Sequence, residues 1–297
     1  MLGAAMSSHP PFRRVAILGT GLIGGSFGLA LRKQFPEISV VGYARGDSAT
    51  AALARGAVQE PAPDIAAAVG GADLIYIALP IGAAMEAIPV VARHAEAHAL
   101  VTDACSTKTL VCKTAQEHFW PVVKNGARFL GGHPMVGKEK SGVEQADAEL
   151  FRGAPYALIG SNEDADARVK NFTDVIRAIG AQPLWCDAET HDWAVGITSH
   201  LPQLVAVALA RVVQDETDET GLPLSLAGPG LQDMLRLAGS PYEVWRDIFL
   251  TNTENAARAL DRLGQALDYL RSQLTTKEMS QEFQTANEVA KRVRERR

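Results

Sequence analysis

The first two thirds of the chain alternate short apolar segments with longer stretches whose apolar residues recur every three or four positions. Apolar segments of about four to eight residues bounded by glycine, proline or polar residues predict buried strands, and the amphipathic stretches predict helices. Strands that alternate with such helices predict βαβ units and a parallel sheet. The predicted strands are residues 13–18, 39–43, 72–79, 100–103, 129–131, 155–160 and 182–185.

The pattern changes after Cys186, beyond which no segment predicts a strand. Helical periodicity begins again at residue 188 and continues to residue 215. We therefore predict an α/β Rossmann-type dinucleotide-binding domain over residues 12–186, followed by an all-α dimerisation domain over residues 187–297. The other predicted helical runs are 231–237, 242–274 and 277–297.

The helical part carries alanine and leucine on more than one face, as in residues 204–209. A monomer would expose much of this apolar surface, so burial against a second copy is the economical explanation. The alternative is that these faces pack only against the N-terminal domain. The pattern favours a homodimer held by the helical part.

Composition narrows the class of protein. The chain has 297 residues and a formal net charge of −5, which gives no reason to expect nucleic acid or an anionic membrane as a partner. No run of 18 apolar residues occurs, so we expect no membrane-spanning segment. The three cysteines have no metal-ligand spacing and are typical of reduced thiols in a cytoplasmic protein, and we expect no metal.

A glycine-rich turn follows the first predicted strand and opens the first predicted helix. Gly19, Gly21 and Gly24 have the spacing Gly-x-Gly-x-x-Gly, with Leu22 and Ile23 between the last two glycines. In this context the first glycine allows a tight turn, the second lets the backbone approach a pyrophosphate, and the third lets helix and strand pack closely. These residues are the predicted binding site of a dinucleotide.

The end of the second predicted strand bears on the choice of dinucleotide. NAD-binding proteins place an acidic residue there to bind the ribose, but this chain has Ala44 followed by Arg45. Arg45, with Ser48 as a second contact, favours the 2′-phosphate of NADP. Two alternatives retain NAD: Asp47 binds the ribose, or Arg45 only stacks on adenine.

Three further segments are expected at the carboxyl edge of the sheet, where such folds bind ligands. Leu79 and Pro80 follow one predicted strand, Asp103 and Ser106 follow the next, and His133 follows a third. We expect Leu79, Pro80 and Asp103 on the cofactor side.

These segments resemble motifs of the prephenate/arogenate dehydrogenase family. The matching segments in this half are Asp-x-x-Ser-x-Lys at 103–108 and Gly-His-Pro-Met at 132–135. The resemblance continues into the helical part with Ser-His-Leu-Pro, Asp-x-x-Arg and Trp-Arg-Asp-Ile, at 199–202, 233–236 and 245–248. It implies oxidative decarboxylation of prephenate to 4-hydroxyphenylpyruvate with NAD(P)+, in tyrosine biosynthesis.

The resemblance also implies residue roles. His133 accepts the proton of the ring hydroxyl, and Ser106 holds either His133 or that hydroxyl. Arg236 binds a substrate carboxylate, and His200 is a second substrate contact. Glu139 pairs with Arg236 and gates access. Lys138 and Gln203 are further candidates for substrate binding.

Other interpretations remain open. Without the resemblance, His200 is equally typical of a core histidine, and Arg236 of a salt bridge between subunits. No acid lies near His200 to bind the amino group of arogenate, which favours prephenate, but Asp233 or Glu139 could serve arogenate. A β-hydroxyacid dehydrogenase would carry a helical lysine where His200 stands, and a non-catalytic nucleotide sensor would need none of these side chains. Four other histidines lack motif context and are expected at the surface: His94, His98, His118 and His191.

Overall fold

The computed structural model describes residues 10–119, 126–138, 140–217 and 221–295. The chain divides into two compact units. The first unit is Met1–Asp192 together with Tyr242–Thr251, and the second is Trp193–Pro241 together with Asn252–Arg297. The segment 242–251 therefore returns to the first unit, although it lies in the helical part of the sequence.

A parallel sheet of six strands forms the first unit. Its strands are β1 (Arg14–Leu18), β2 (Ser39–Tyr43), β3 (Glu60–Pro61), β4 (Leu74–Ile77), β5 (Leu100–Asp103) and β6 (Arg128–Leu130), in the order β3-β2-β1-β4-β5-β6. Its helices are α1 (Leu22–Gln34), α2 (Ser48–Ala54), α3 (Ile65–Val69), α4 (Ile81–His94) and α5 (Thr109–Phe119). The predicted fold class is confirmed.

The strand register brings the chain segments after the strands to one edge of this sheet. Leu18 pairs with Tyr43 on one side and with Ile77 on the other, and Ile77 pairs in turn with Asp103. Because these strands are parallel and end together, the turns after β1, β2, β4 and β5 are neighbours. Residues 25 to 59 positions apart in the sequence are thereby brought to the spacing between adjacent strands.

A second, three-stranded sheet was not predicted as a separate element. It consists of β7 (Gly132–Pro134), β8 (Pro155–Ile159) and β9 (Gln182–Cys186), with β7 antiparallel to β8 and β8 parallel to β9. Helix α6 (Ala167–Ala178) connects β8 to β9. The sequence predicted β8 and β9 but not β7 or β3, because two- or three-residue strands that contain proline have no readable period.

Two apolar clusters pack on opposite faces of the six-stranded sheet. Tyr76 and Phe27 belong to one cluster, and their rings stack with centroids 3.9 Å apart. Ile75, whose side chain points to the other face, belongs to the second cluster with residues of α4. The sheet is therefore buried on both faces, as its nearly continuous apolar strands predict.

Helix α11 (Tyr242–Thr251) completes the first unit. Its Ile248 lies in the second apolar cluster, and the carboxylate of Asp247 accepts the backbone N–H of Gly82 at the start of α4 at 3.0 Å. The hydroxyls of Thr251 and Thr107 lie 2.7 Å apart. The sequence predicted one helix over 242–274, but the chain leaves helical geometry at Asn252.

The second unit is helical throughout its described residues. The helix that begins as α7 (Ala188–Val195) passes through a π-helical turn at Gly196–His200 into α8 (Leu201–Thr217). The turn immediately precedes Pro202, which has no N–H for a regular helical bond. The other helices are α9 (Leu222–Ser225), α10 (Pro229–Leu235) with a 3-10 turn at Arg236–Gly239, α12 (Thr253–Gln273) and α13 (Met279–Glu295).

The second unit has little core of its own. Among its described residues the buried hydrophobic ones are Val195, Ala206, Ala256 and Ala259, and the two large apolar clusters draw all their members from the first unit. Large apolar side chains are instead exposed, among them Val207, Val212, Leu222, Leu226, Leu267 and Phe283. A folded domain normally buries such surface.

The helix Ala188–Thr217 bears on the expectation that the chain has no membrane-spanning segment. By length and composition it is apolar enough to cross a membrane, with a mean hydropathy of 1.4 over its most apolar window, of which 28% is buried. This finding rests on length and composition alone, and the expectation that no segment of the chain spans a membrane stays a prediction. A helix that packs against another protein subunit has the same composition.

Candidate active site

The glycine-rich turn has the geometry that its sequence predicts. Gly19 has φ +95°, and a Cβ there would lie 2.4 Å from the carbonyl oxygen of Ala78. A Cβ at Gly24 would lie 1.9 Å from the carbonyl oxygen of Gly19, which requires glycine for close packing of helix and strand. At Gly21, by contrast, a Cβ would meet nothing within 4 Å. Gly21 therefore faces open space at the start of a helix.

The start of α1 fits a phosphate group. Gly21 is its N-cap, no side chain caps it, and its first turn, which begins with Leu22 and Ile23, contains no acidic residue. Backbone N–H groups at a helix N-terminus carry a partial positive charge that stabilises a phosphate. These residues together would hold the pyrophosphate of a dinucleotide.

The turn after β2 carries the residues predicted to select the cofactor. Arg45 is exposed, Asp47 is the N-cap residue of α2, and the Ser48 hydroxyl lies 3.1 Å from the Thr20 hydroxyl. This bond joins Ser48 to the glycine-rich turn. After β4, Leu79 is half-buried and Pro80 is exposed at the start of α4.

The side chain of Asp103 is fully buried and hydrogen-bonded inside the protein, so its carboxylate is not accessible to a ligand. Its carboxylate accepts a hydrogen bond from the Lys108 ammonium, from the Cys105 N–H at 2.9 Å and from the Gly132 N–H at 3.1 Å. Lys108 also donates to the Gly132 carbonyl at 2.6 Å. The expectation that Asp103 contacts the cofactor is corrected, because both carboxylate oxygens are used inside the protein.

The buried pair fixes the strand that carries the catalytic candidate. Burial lowers the pKa of Lys108, but the Asp103 carboxylate together with the nearby Cys105 and Cys112 outweighs this effect, so the net pKa is raised and the ammonium keeps its charge. Lys108 donates to the carbonyl of Gly132, and Asp103 accepts the N–H of the same residue, directly before His133. The ion pair therefore fixes the position of β7 relative to the carboxyl end of β5.

His133 is the first of three buried side chains that are joined one to the next by hydrogen bonds, and we call them the His133–His191–Asp192 chain. Its Nδ1 lies 2.9 Å from Nε2 of His191, and Nδ1 of His191 lies 2.8 Å from a carboxylate oxygen of Asp192. All three residues are buried. The expectation that His191 lies at the surface was therefore wrong.

Asp192 is anchored by the start of α5. Its two oxygens accept the backbone N–H groups of Lys108 at 2.7 Å and Thr109 at 2.8 Å. Burial raises the pKa of Asp192, but the hydrogen bonds from His191, Thr109 and Lys108 outweigh it, and the net pKa is lowered. Asp192 is thus an ionised carboxylate at neutral pH.

Three other site residues were predicted in the first unit, and the structure describes two of them, Ser106 and Lys138. Ser106 is half-buried in the turn between β5 and α5. The ammonium of Lys138 donates to the Gln145 carbonyl at 2.9 Å and pairs with Asp147 at 3.3 Å, so its charge is already partly balanced. Glu139 lies outside the described residues.

The second unit has its own buried histidine. His200 ends the π-helical turn, and its Nδ1 lies 3.2 Å from the amide nitrogen of Asn252. The amide oxygen of Asn252 accepts from Asn255 at 2.8 Å. Since the Asn252 nitrogen can only donate, Nδ1 of His200 accepts, and a neutral His200 carries its hydrogen on Nε2. π-Helical turns are frequent at functional sites.

Two more predicted residues lie in the second unit. Gln203 is buried in the first turn of α8. Arg236 is exposed at the end of α10, as is Asp233. An arginine in this position presents a planar pair of donors that matches a carboxylate.

Fold and chemistry together define a class of protein. A Rossmann-type sheet with an open glycine-rich turn, together with a buried imidazole–imidazole–carboxylate chain in the same unit, is typical of a dinucleotide-dependent oxidoreductase. Residues 27–184 match the nucleotide-binding domain of prephenate dehydrogenase, and residues 187–287 match its dimerization domain. The chain belongs to the prephenate dehydrogenase family, and the resemblance found in the sequence is confirmed.

Individual proteins agree with this assignment. The chain is 29% identical to a prephenate dehydrogenase of Lactococcus lactis, over 95% of this chain and 77% of that one. It is similar to the crystal structure of Aquifex aeolicus prephenate dehydrogenase in complex with hydroxyphenyl propionate and NAD+, with a TM-score of 0.84, 27% identity and coverage of 98% and 99%. The structure of Synechocystis arogenate dehydrogenase is similar too, with a TM-score of 0.79, 27% identity and coverage of 94% and 99%.

Proposed function

We propose that the protein oxidises and decarboxylates prephenate to 4-hydroxyphenylpyruvate in tyrosine biosynthesis. The observation that carries the proposal is the bond between buried His133 and His191, directly after Gly132, which the Asp103–Lys108 pair holds at the carboxyl end of β5. Family membership supplies the reaction class. Prephenate requires an acceptor for its ring hydroxyl proton and cationic groups for its carboxylates, and the chain has residues of both kinds.

The chemistry assigns one task to each residue. His133 accepts the proton of the ring hydroxyl, so the ring carbon that bears it becomes carbonyl-like. When bound, the nicotinamide accepts the hydride from that carbon. Ser106 holds the hydroxyl in register, while Arg236 and the Nε2–H of His200 bind carboxylate oxygens of the substrate. Departure of carbon dioxide aromatises the ring and makes the reaction irreversible.

The proposed cofactor is NADP, with NAD as the alternative. Arg45 is exposed after β2, and the preceding Ala44 provides no carboxylate to bind a ribose hydroxyl. The Aquifex aeolicus relative was crystallised with NAD+. If the cofactor is NAD, its ribose would be bound by Asp47, three positions beyond Ala44.

The main alternative substrate is arogenate, alone or together with prephenate. Arogenate differs in its cationic amino group, which an acidic side chain would bind. Exposed Asp233 lies three residues before Arg236, and a relative with a similar structure is an arogenate dehydrogenase. Buried Gln203 offers a neutral amide near His200 in sequence, which favours the keto acid prephenate.

A homodimer and a cytoplasmic location complete the proposal. The second unit exposes large apolar side chains, and its sequence matches a dimerization domain. A second copy would cover the apolar helix Ala188–Thr217. The three free cysteines, Cys105, Cys112 and Cys186, are consistent with a reducing compartment.

Initial rates test substrate and cofactor together. Prephenate and arogenate are each assayed with NAD+ and with NADP+, with reduced nucleotide and released carbon dioxide measured in parallel. We expect the highest kcat/KM for prephenate with NADP+. A folded protein that binds nucleotide but turns over neither substrate would contradict the proposal and favour a nucleotide sensor.

A further inference from the structure

The hydrogen-bond chain behind His133 determines where its protons lie. An ionised carboxylate only accepts hydrogen bonds, so Asp192 requires a hydrogen on Nδ1 of His191. A neutral His191 then has no hydrogen on Nε2 and accepts at that atom. The donor in the 2.9 Å contact must therefore be Nδ1 of His133.

This order leaves Nε2 of a neutral His133 without a hydrogen. In the opposite arrangement His191 would donate from both ring nitrogens and would therefore be a cation. His133 would then accept at Nδ1 and keep its hydrogen on Nε2. Only the first arrangement gives His133 a lone pair at Nε2. His200, with its hydrogen on Nε2, has the complementary form suited to donate.

We propose that His191 and Asp192 are positioning residues that hold His133 in the tautomer able to accept a proton at Nε2. The inference rests on the function proposed for His133. In the reaction the O–H bond of the ring hydroxyl breaks and the proton bonds to Nε2 of His133, while the hydride passes to the nicotinamide cofactor. The resulting imidazolium donates from Nδ1 to His191, whose other nitrogen donates to the Asp192 carboxylate. The negative charge of Asp192 therefore stabilises the new positive charge through one ring.

The His133–His191–Asp192 chain is held by the scaffold at both ends. At one end Asp192 accepts the N–H groups of Lys108 and Thr109 at the start of α5, and at the other the Lys108–Asp103 pair holds Gly132, directly before His133. The distance between His133 and His191 is thus set by β7 on one side and by the anchored Asp192 on the other. A ring fixed in this way loses little freedom when it binds substrate.

The first experiment observes the tautomer directly, without activity. The protein is labelled with 15N-histidine, and nitrogen shifts and long-range ring couplings are recorded for wild type and for His133→Asn, which identifies the His133 signals. We expect His133 to carry its hydrogen on Nδ1 near neutral pH. A hydrogen on Nε2 of neutral His133 would overturn the inference.

The second experiment removes the acceptor. In His191→Leu, kcat for prephenate should fall by roughly 10- to 100-fold, the range found when a metal-bound histidine loses the partner that orients it. KM for prephenate and for the nucleotide should change by less than about twofold, since His191 does not bind either. An unchanged kcat in a folded His191→Leu protein also overturns the inference.

A matched control uses another histidine that contacts a carboxylate. His98 is exposed, and its Nε2 lies 3.0 Å from Asp73. His98→Asn should retain the wild-type kcat. Should wild type turn over neither prephenate nor arogenate, the proposed function fails, and the nitrogen shifts still decide the tautomer independently.

Discussion

At the scale of single residues, the buried histidines His133 and His200 have different hydrogen-bond partners. Nδ1 of His133 contacts His191, whereas Nδ1 of His200 contacts the amide nitrogen of Asn252, which can only donate. In the proposed arrangement the same side chain type therefore provides a proton acceptor in the first unit and a hydrogen-bond donor in the second. The environment, and not the residue type, assigns these roles.

His133→Asn is expected to lower kcat for prephenate by about 10²- to 10⁴-fold with little change in KM, because asparagine cannot accept the proton. The wild-type rate should fall at low pH as the imidazole becomes protonated, and the variant should lose this acid limb.

Arg236→Gln should instead raise KM for prephenate and leave KM for the nucleotide nearly unchanged. Steady-state kinetics over a pH series separates the two, and identical patterns in both variants would contradict the assignment.

Arg45→Ala tests the cofactor preference. Loss of charge-assisted contacts of about 1.5–3 kcal/mol should weaken NADP binding by roughly ten- to a hundredfold relative to NAD. Isothermal titration with each nucleotide measures both affinities, and Asp47→Ala is the companion variant. Equal effects of Arg45→Ala on both nucleotides, with a selective loss of NAD affinity in Asp47→Ala, would reverse the proposed preference.

At the scale of elements, α11 shows how a segment distant in sequence stabilises the start of a helix. Asp247 accepts the N–H of Gly82 in the first turn of α4, where a negative charge is favourable. The bond from Gly82 and the Arg246 side chain lower the pKa of Asp247, against a smaller effect of burial. The turn that contains Leu79 and Pro80 immediately precedes this helix.

Asp247→Ala should lower the free energy of unfolding by about 0.5–2 kcal/mol at pH 7, as for the loss of a helix cap. Since the folded pKa is below the unfolded value of about 3.9, the contribution is present above that value and is lost as pH falls through the folded pKa. Denaturant unfolding at neutral and acid pH measures the difference. Asp174→Ala, which removes an exposed pair with Arg177, is the control and should change stability by less than about 0.5 kcal/mol. A pH-independent loss in Asp247→Ala would exclude the carboxylate as its cause.

At the scale of the whole molecule, the distribution of buried apolar residues is uneven. The first unit holds both large apolar clusters, and the second unit exposes valine, leucine and phenylalanine along its helices. Covering these side chains at about 25 cal/mol per Å² is a large stabilisation, so we expect the second unit to fold together with its partner copy.

Sedimentation at micromolar concentration should give twice the monomer mass of 31.7 kDa. The melting temperature should rise with protein concentration, since association stabilises the folded state. Val212→Lys, at an exposed position of α8, should weaken the dimer, whereas Leu53→Lys, at an exposed position of the first unit, should leave it intact. An active monomer at the same concentrations would remove the argument from exposed apolar helices.

The sequence by itself determined the features that depend on local spacing. The period of apolar residues gave the parallel sheet and the change to helices after Cys186, and the glycines of the first turn gave the dinucleotide-binding geometry. The motif around His133 indicated the family. Each of these signals lies within a stretch short enough to read directly.

Only the tertiary structure decided which side chains meet. His191 is 58 positions from His133 and carries no motif of its own, so nothing local indicates that their rings touch. Asp103 looked like a cofactor residue by its position after β5, but folding brings Lys108 and Gly132 onto both of its oxygens. Hydrogen bonds between distant segments depend on how strands and helices pack, and packing has no periodic trace in the sequence. That is why the cofactor turn was predictable, whereas the hydrogen-bonded contact of His133 with His191 and Asp192 was not.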